Sequence, residues 1–212
     1  MKTWNRRQRT LCLLLLTALI LLAVTVSGAL LTNLATETDF AHTNLAPSLD
    51  RLFGTDWLGR DMLARTLAGL SLSIRIGALT ACVSAVIALA LGVAAALSRR
   101  ADAALSWLVD LFLGIPHILL VMLISLACGR GFWGVVAGVS LSHWPSLARL
   151  VRGEVLQLRQ APYLLAAEKL GVPRGQLVRR HLLPHLLPQF LTGLVLQFPH
   201  AILHEASVTF LG

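Results

Sequence analysis

The chain has 212 residues, of which 56% are apolar and only 13% charged, and its formal net charge is +8. A water-soluble domain carries about 25% charged residues, so a fully solvated globular surface is excluded and most of this surface must meet lipid. Cys12, Cys82 and Cys128 each sit singly in an apolar run, which excludes a CxxC redox or metal-ligand pair.

In chain order, Lys2, Arg6, Arg7 and Arg9 precede an apolar run from Leu11 to Leu31 of 21 residues. A cleavable signal has a core of about 7–15 residues, whereas about 20 residues cross a bilayer core of about 30 Å. Residues 1–31 therefore read as a cytoplasmic basic N-terminus with a retained first membrane helix. Residues 32–72 form a polar extracytoplasmic segment with Glu37, Asp39, Asp50, Asp56 and Asp61. Within it, Gly54-Thr-Asp-Trp-Leu-Gly-Arg-Asp61 has glycines at 54 and 59 that permit turns, and Asp56, Arg60 and Asp61 can pair with one another. Residues 73–212 then hold four more apolar stretches: Ile76–Leu97, Leu111–Cys128 with Pro116 and His117, Phe132–Ala148 with His143 and Pro145, and Leu182–His204 with Pro184, Pro188 and Pro199. Gly134 and Gly138 are spaced for close helix contact. The expected fold is an all-α, polytopic membrane helix bundle with five spans.

The basic residues supply the orientation. Spans alternating from an inside N-terminus place thirteen Lys and Arg inside and five outside (Arg51, Arg60, Arg65, Arg75 and Arg130), as expected when the richer loops are cytoplasmic. Membrane lipid accounts for the positive charge and no nucleic acid is required. Five spans leave Gly212 outside.

The longest inner segment, residues 149–181, is where a function is sought. Pro162 suits a first helical turn and Gly171 a C-terminal cap. Between them Tyr163, Ala166, Ala167 and Leu170 share one face. Pro173 can open a second helix that leads through Leu177 and Arg179, Arg180 and His181 back to the membrane. Two readings stand at this point: a helix lying on the bilayer surface, or a docking helix whose small residues admit another protein.

Histidine at membrane depth faces a cavity or the bundle interior. His143 lies in the fourth span; His200 and His204 share one face of the fifth, with Glu205 adjacent, and these four are the candidate substrate pathway. Neutral imidazole ligates Ni, Cu and Zn ions, so His143 and His204 are candidates for transient metal contact; hydrogen bonding between helices is the alternative. His117 beside Pro116 could contribute, whereas His181 and His185 lie near the inner face. No GxxxxGK[ST], GxSxG or HExxH sequence is present, so no catalytic residue is assigned and no cofactor is expected on this chain.

Two motifs carry a family resemblance. Ala166, Ala167, Gly171, Leu183 and Pro184 fall on the EAA coupling segment of ABC importer permeases, with Leu165 where that family usually has Glu and Glu168 nearby. Gly54–Asp61 is similar to the GTDxxGRD signature that follows the first span in dipeptide/oligopeptide/nickel permeases, and Ala206–Gly212 resembles that family's motif at the outer end of the fifth span. Ser142-His-Trp144 and Leu203-His204 look closer to nickel-type members. The resemblance covers the whole chain and implies a bundle of the ABC importer type, in which a sixth span is expected but missing here.

It further implies a multi-pass permease subunit of the bacterial inner membrane, paired with a homologous second permease. Two ATPase subunits, using ATP-Mg, would dock at Tyr163, Ala166, Ala167, Glu168 and Gly171. An extracytoplasmic substrate-binding protein would rest near the loop of Gly54, Asp56, Gly59, Arg60 and Asp61. The implied cargo is nickel or another transition metal, free or chelated; a di- or oligopeptide is the alternative, and a non-transport membrane scaffold is the rival from another class.

Overall fold

The computed structural model describes residues 5–129 and 131–211. Lys2 and Arg130, counted among the basic residues, and Gly212 of the closing motif lie outside the described residues. The described chain is helical: α1 (Arg6–Leu30), α2 (Thr32–Thr36), α3 (Met62–Leu97), α4 (Arg99–Gly114), α5 (His117–Ala127), α6 (Phe132–Arg159), α7 (Pro162–Lys169), α8 (Arg174–Leu177) and α9 (Leu183–Leu211), with a π-type turn over Val178–Leu182 between the last two. Extended pairing among the described residues is a single antiparallel bridge between Thr55 and Asp61. The chain divides into two compact units, one ending at Arg75 and one beginning at Ile76.

In the first unit, α1 buries only Gly28 among its described residues. All of its leucines but the half-buried Leu21 are exposed, as a helix solvated by lipid requires. The burial of Gly28 has a steric cause. A Cβ there would overlap the Leu67 carbonyl oxygen, so glycine lets α1 touch the start of α3; beside it Ser71 Oγ donates to the Thr25 carbonyl at 2.8 Å.

In the second unit, the stretch expected as one span from Leu111 to Cys128 is broken. Pro116 has no N–H for the helix ladder and disfavours helical backbone at Ile115, so α4 stops at Gly114 and α5 starts at His117 with a bend of 100°. Alone, α5 has 11 residues, or about 16 Å at 1.5 Å per residue, and reaches only part-way through a bilayer. Three described helices are long and apolar enough to cross, or four if the bent pair counts as one span. The 28 residues of α6 reach about 42 Å, but its polar Ser140, Ser142 and His143 lower its hydropathy. Those residues are tolerable because α6 is the hub, packed by α4, α5 and α9, with Val139, Ala148 and Val155 fully buried.

Glycines set the close crossings. A Cβ on Gly138 would overlap Ser125 Oγ and lie 2.7 Å from the Val121 carbonyl, and one on Gly134 would overlap the Gly129 carbonyl, so the α5–α6 pair depends on both. Toward the C-terminal end of α6, its arginines fasten its neighbours. Arg152 makes a two-pronged pair with Asp102 of α4, one prong at 2.8 Å; Arg149 meets Asp110 at 3.2 Å; and Arg159 Nη1 donates to the Ala96 carbonyl at 2.5 Å, satisfying an orphan acceptor at the end of α3. The π-type turn precedes Pro184, whose missing N–H and ring oppose an ordinary turn against residue 180; instead the Leu183 amide bonds to the Val178 carbonyl.

Candidate functional site

The segment between α6 and α9 folds as its punctuation dictates. Ala161 is extended and Pro162 occupies the first turn of α7. Gly171 closes the helix at φ +78°, with its amide bonded to the Glu168 carbonyl at 3.0 Å and the Val172 amide to the Ala167 carbonyl at 3.1 Å. Leu164 is the anchor, 5% exposed in the core with Leu158, Leu177 and Leu182. Ala167 packs partly against the same core, so it belongs to the inward side rather than to the free face expected for it. Tyr163, Ala166, Glu168 and Leu170 stay outward, Leu170 at 84% exposure. Tyr163 leans on His181 with ring centroids 6.0 Å apart. The result is a short helix hung from the bundle by one buried leucine, presenting Tyr163, Ala166 and Leu170 at helical spacing to any partner.

The second cluster lies half-buried where α5, α6 and α9 meet. His117 opens α5, His143 sits in mid-α6 and His204 lies in α9. Their ring centroids are 4.5 to 4.9 Å apart and tilted edge to face, and one nitrogen from each falls within 4.8 Å of the others. Of the pathway residues taken from the sequence, His143 and His204 therefore meet. His200 does not join them: it is exposed and its Nδ1 donates to the Leu196 carbonyl at 2.9 Å. Glu205 is buried, but its carboxylate accepts from Thr209 Oγ1 at 3.2 Å and is not part of the converging set. His117 completes the triad. The signal for it was Pro116: by ending α4 at Gly114 and starting α5 at residue 117, the proline puts a helix N-terminus, with its polar side chain, where a continuous span would have placed an ordinary turn.

The polar segment before α3 is tied as a knot around Asp56. Its carboxylate accepts from the Leu58 and Arg60 amides, both at 2.9 Å, and from Arg60 Nε at 2.9 Å, and it pairs with Arg65 as well. Asp61 does not join Arg60 as the sequence suggested; it pairs with Arg51 at 3.2 Å and caps α3 through the Ala64 amide at 2.9 Å. The geometry explains the division, since the Asp56 oxygens are filled by Arg60 while Asp61 faces the first turn of α3. Gly59 takes φ +76°, and a Cβ there would overlap the Asp39 carbonyl oxygen.

Burial opposes ionisation of Asp56, yet the Arg60 amide and guanidinium and the Leu58 amide outweigh it and hold the carboxyl well below the usual carboxylate range. A folded-state value below the unfolded one means the stabilisation is whole above about pH 4 and is lost as pH falls through the lower folded-state value. Protease resistance of residues 39–61 is thus expected to be flat from pH 7 to 5. In Asp56→Asn the segment should be cut faster at every pH in that range; an equally resistant variant would show that Asp56 does not hold the knot.

Residues 86–212 match the family described as "Binding-protein-dependent transport system inner membrane component". The chain is 34% identical over 170 residues to the dipeptide transport system permease protein DppC of Bacillus subtilis (strain 168), a match covering 80% of this chain and 53% of that protein. It is 31% identical over 205 residues to the oligopeptide transport system permease protein OppC of the same organism, covering 94% of this chain and 67% of that protein. The chain thus spans 53% and 67% of the lengths of these two relatives.

Proposed function

From the premise that this chain belongs to the inner-membrane components of binding-protein-dependent transport systems, we propose that it is one permease subunit of an ATP-driven importer. It is a multi-pass protein with its N-terminus in the cytoplasm, working with a homologous second permease, two ATPase subunits that bind ATP-Mg, and an extracytoplasmic binding protein. This chain itself is not an enzyme; hydrolysis belongs to the separate ATPase chains. The observation that supports the reading best is α7: an exposed helix between α6 and α9 in the chain, closed by Gly171 and anchored through Leu164 in a core shared with Leu158 of α6 and Leu186 of α9. Force applied to α7 from the cytosol is transmitted to α6 and α9, and so to the space they enclose.

Purification from native membranes tests it. The chain should bring down an ATPase whose turnover rises when cargo-loaded binding protein is added. A scaffold would recruit a partner without that response, and a complex lacking any ATPase would end the importer reading.

For cargo, di- or oligopeptides are favoured, because both relatives are named for peptides. Nickel or another transition metal, free or chelated, is a second reading favoured by one observation, the meeting of His117, His143 and His204. The nickel-type likeness rests on two of those same histidines. Parallel uptake of labelled dipeptide and of nickel, in cells with and without the chain, separates the two.

A further inference from the structure

We infer that His117, His143 and His204 form a three-nitrogen site for a single divalent transition-metal ion of the nickel, copper or zinc class. The inference concerns binding by this chain and stands whether the importer carries peptides or metal.

The tautomer of His143 is the first argument. Its Nδ1 lies 2.8 Å from the Val139 carbonyl oxygen and 3.1 Å from Ser142 Oγ. A carbonyl can only accept, so Nδ1 carries the proton and Nε2 of the neutral ring presents a lone pair. That Nε2 is buried and has no hydrogen-bond partner among the described residues. A buried acceptor left unpaired is costly, and one ring nitrogen donating to a backbone carbonyl while the other stays open is the arrangement found around metal-bound histidine.

Convergence is the second. The three rings come from three helices, and the ligand nitrogens already lie within 4.8 Å of one another. Ligands about 2.0–2.1 Å from a tetrahedral ion are about 3.4 Å apart, so closing the site asks for nitrogen shifts on the order of 1 Å, which ring rotation supplies. Core helices need not move. A set of imidazoles selects the nickel, copper and zinc class over magnesium or calcium, which take oxygen ligands.

Three ligands rather than four have a consequence. The fourth position stays open to water or to an exchanging group, and the buried Glu205 carboxylate is not in the set. The bound ion is therefore exchangeable, unlike the ion of a closed structural site.

The test is equilibrium binding. The full chain, purified with whatever partners it carries through a tag free of histidine, is titrated with Ni²⁺ and with Zn²⁺ and its metal content measured. About one ion per chain is expected, with imidazole scattering in the X-ray absorption spectrum. His143→Ala and His204→Ala should weaken retention at least about tenfold, and so should His117→Gln, which keeps a polar side chain at the start of α5. His200→Ala, on the same helix but outside the triad, should bind like the parent. Parent-like affinity in His117→Gln, or equal loss in His200→Ala, overturns the site. Because no transport is measured, failure here leaves the importer reading intact, and an importer reading lost for want of an ATPase leaves this one intact.

Discussion

Gly171→Pro is expected to abolish assembly with the ATPase and to reduce transport by more than about tenfold. Gly171 holds φ +78°, while proline is locked at about −65°; its ring also removes the amide that bonds to the Glu168 carbonyl. The cap cannot form, α7 loses its end, and the outward row of Tyr163, Ala166 and Leu170 loses its register. Gly171→Asn is the informative companion, since asparagine tolerates the left-handed region better than other side chains and should keep most of the activity. Measured together by co-purification and cargo uptake, the pair separates backbone geometry from mere substitution. Survival of both assembly and uptake in Gly171→Pro would remove α7 as the docking element.

What was legible in the sequence was local. Pro162 and Gly171 bracket α7 because a missing amide and a positive φ are properties of single residues. Gly134 and Gly138 marked a close crossing because their spacing fixes one helix face. Less legible was which side of α7 turns inward: Leu164, outside the face assigned from spacing, is the anchor, and Ala167 packs with it. That depends on where α6 and α9 stand, which no window of eight residues contains. The break at Ile115–Pro116 was written in the proline, yet hydropathy alone ran Leu111 to Cys128 together as a single apolar stretch. The triad was legible only in part, since His143 and His204 signal depth, whereas His117 joins them through a 100° bend. In the outer loop the turn glycines were plain, but Asp61 chose Arg51 over Arg60 because its position at the start of α3 commits it to capping.

The α5–α6 crossing carries the other large expected effect. Gly138→Val should lower stability by about 3 kcal/mol or more, the upper range for overpacking a filled interior, and the melting temperature by roughly 6–12 °C for a chain of this size. The added side chain meets Ser125 Oγ and, at 2.7 Å, the Val121 carbonyl; the latter is backbone, so it cannot rotate away and the helices must separate. Gly153→Ala on the same helix is the control. Among the described residues nothing lies within 4 Å of a Cβ there and the position is exposed, so exchange of glycine for alanine should stabilise α6 by up to about 1 kcal/mol. Opposite signs from two glycines of α6 would establish that contact, not helix propensity, fixes the crossing. The same separation draws His117 on α5 away from His143 on α6, so Gly138→Val should weaken nickel retention while Gly153→Ala leaves it unchanged. A Gly138→Val protein that melts with the parent would mean α5 and α6 do not meet there, and the distances among the three histidines would have to be redrawn with them.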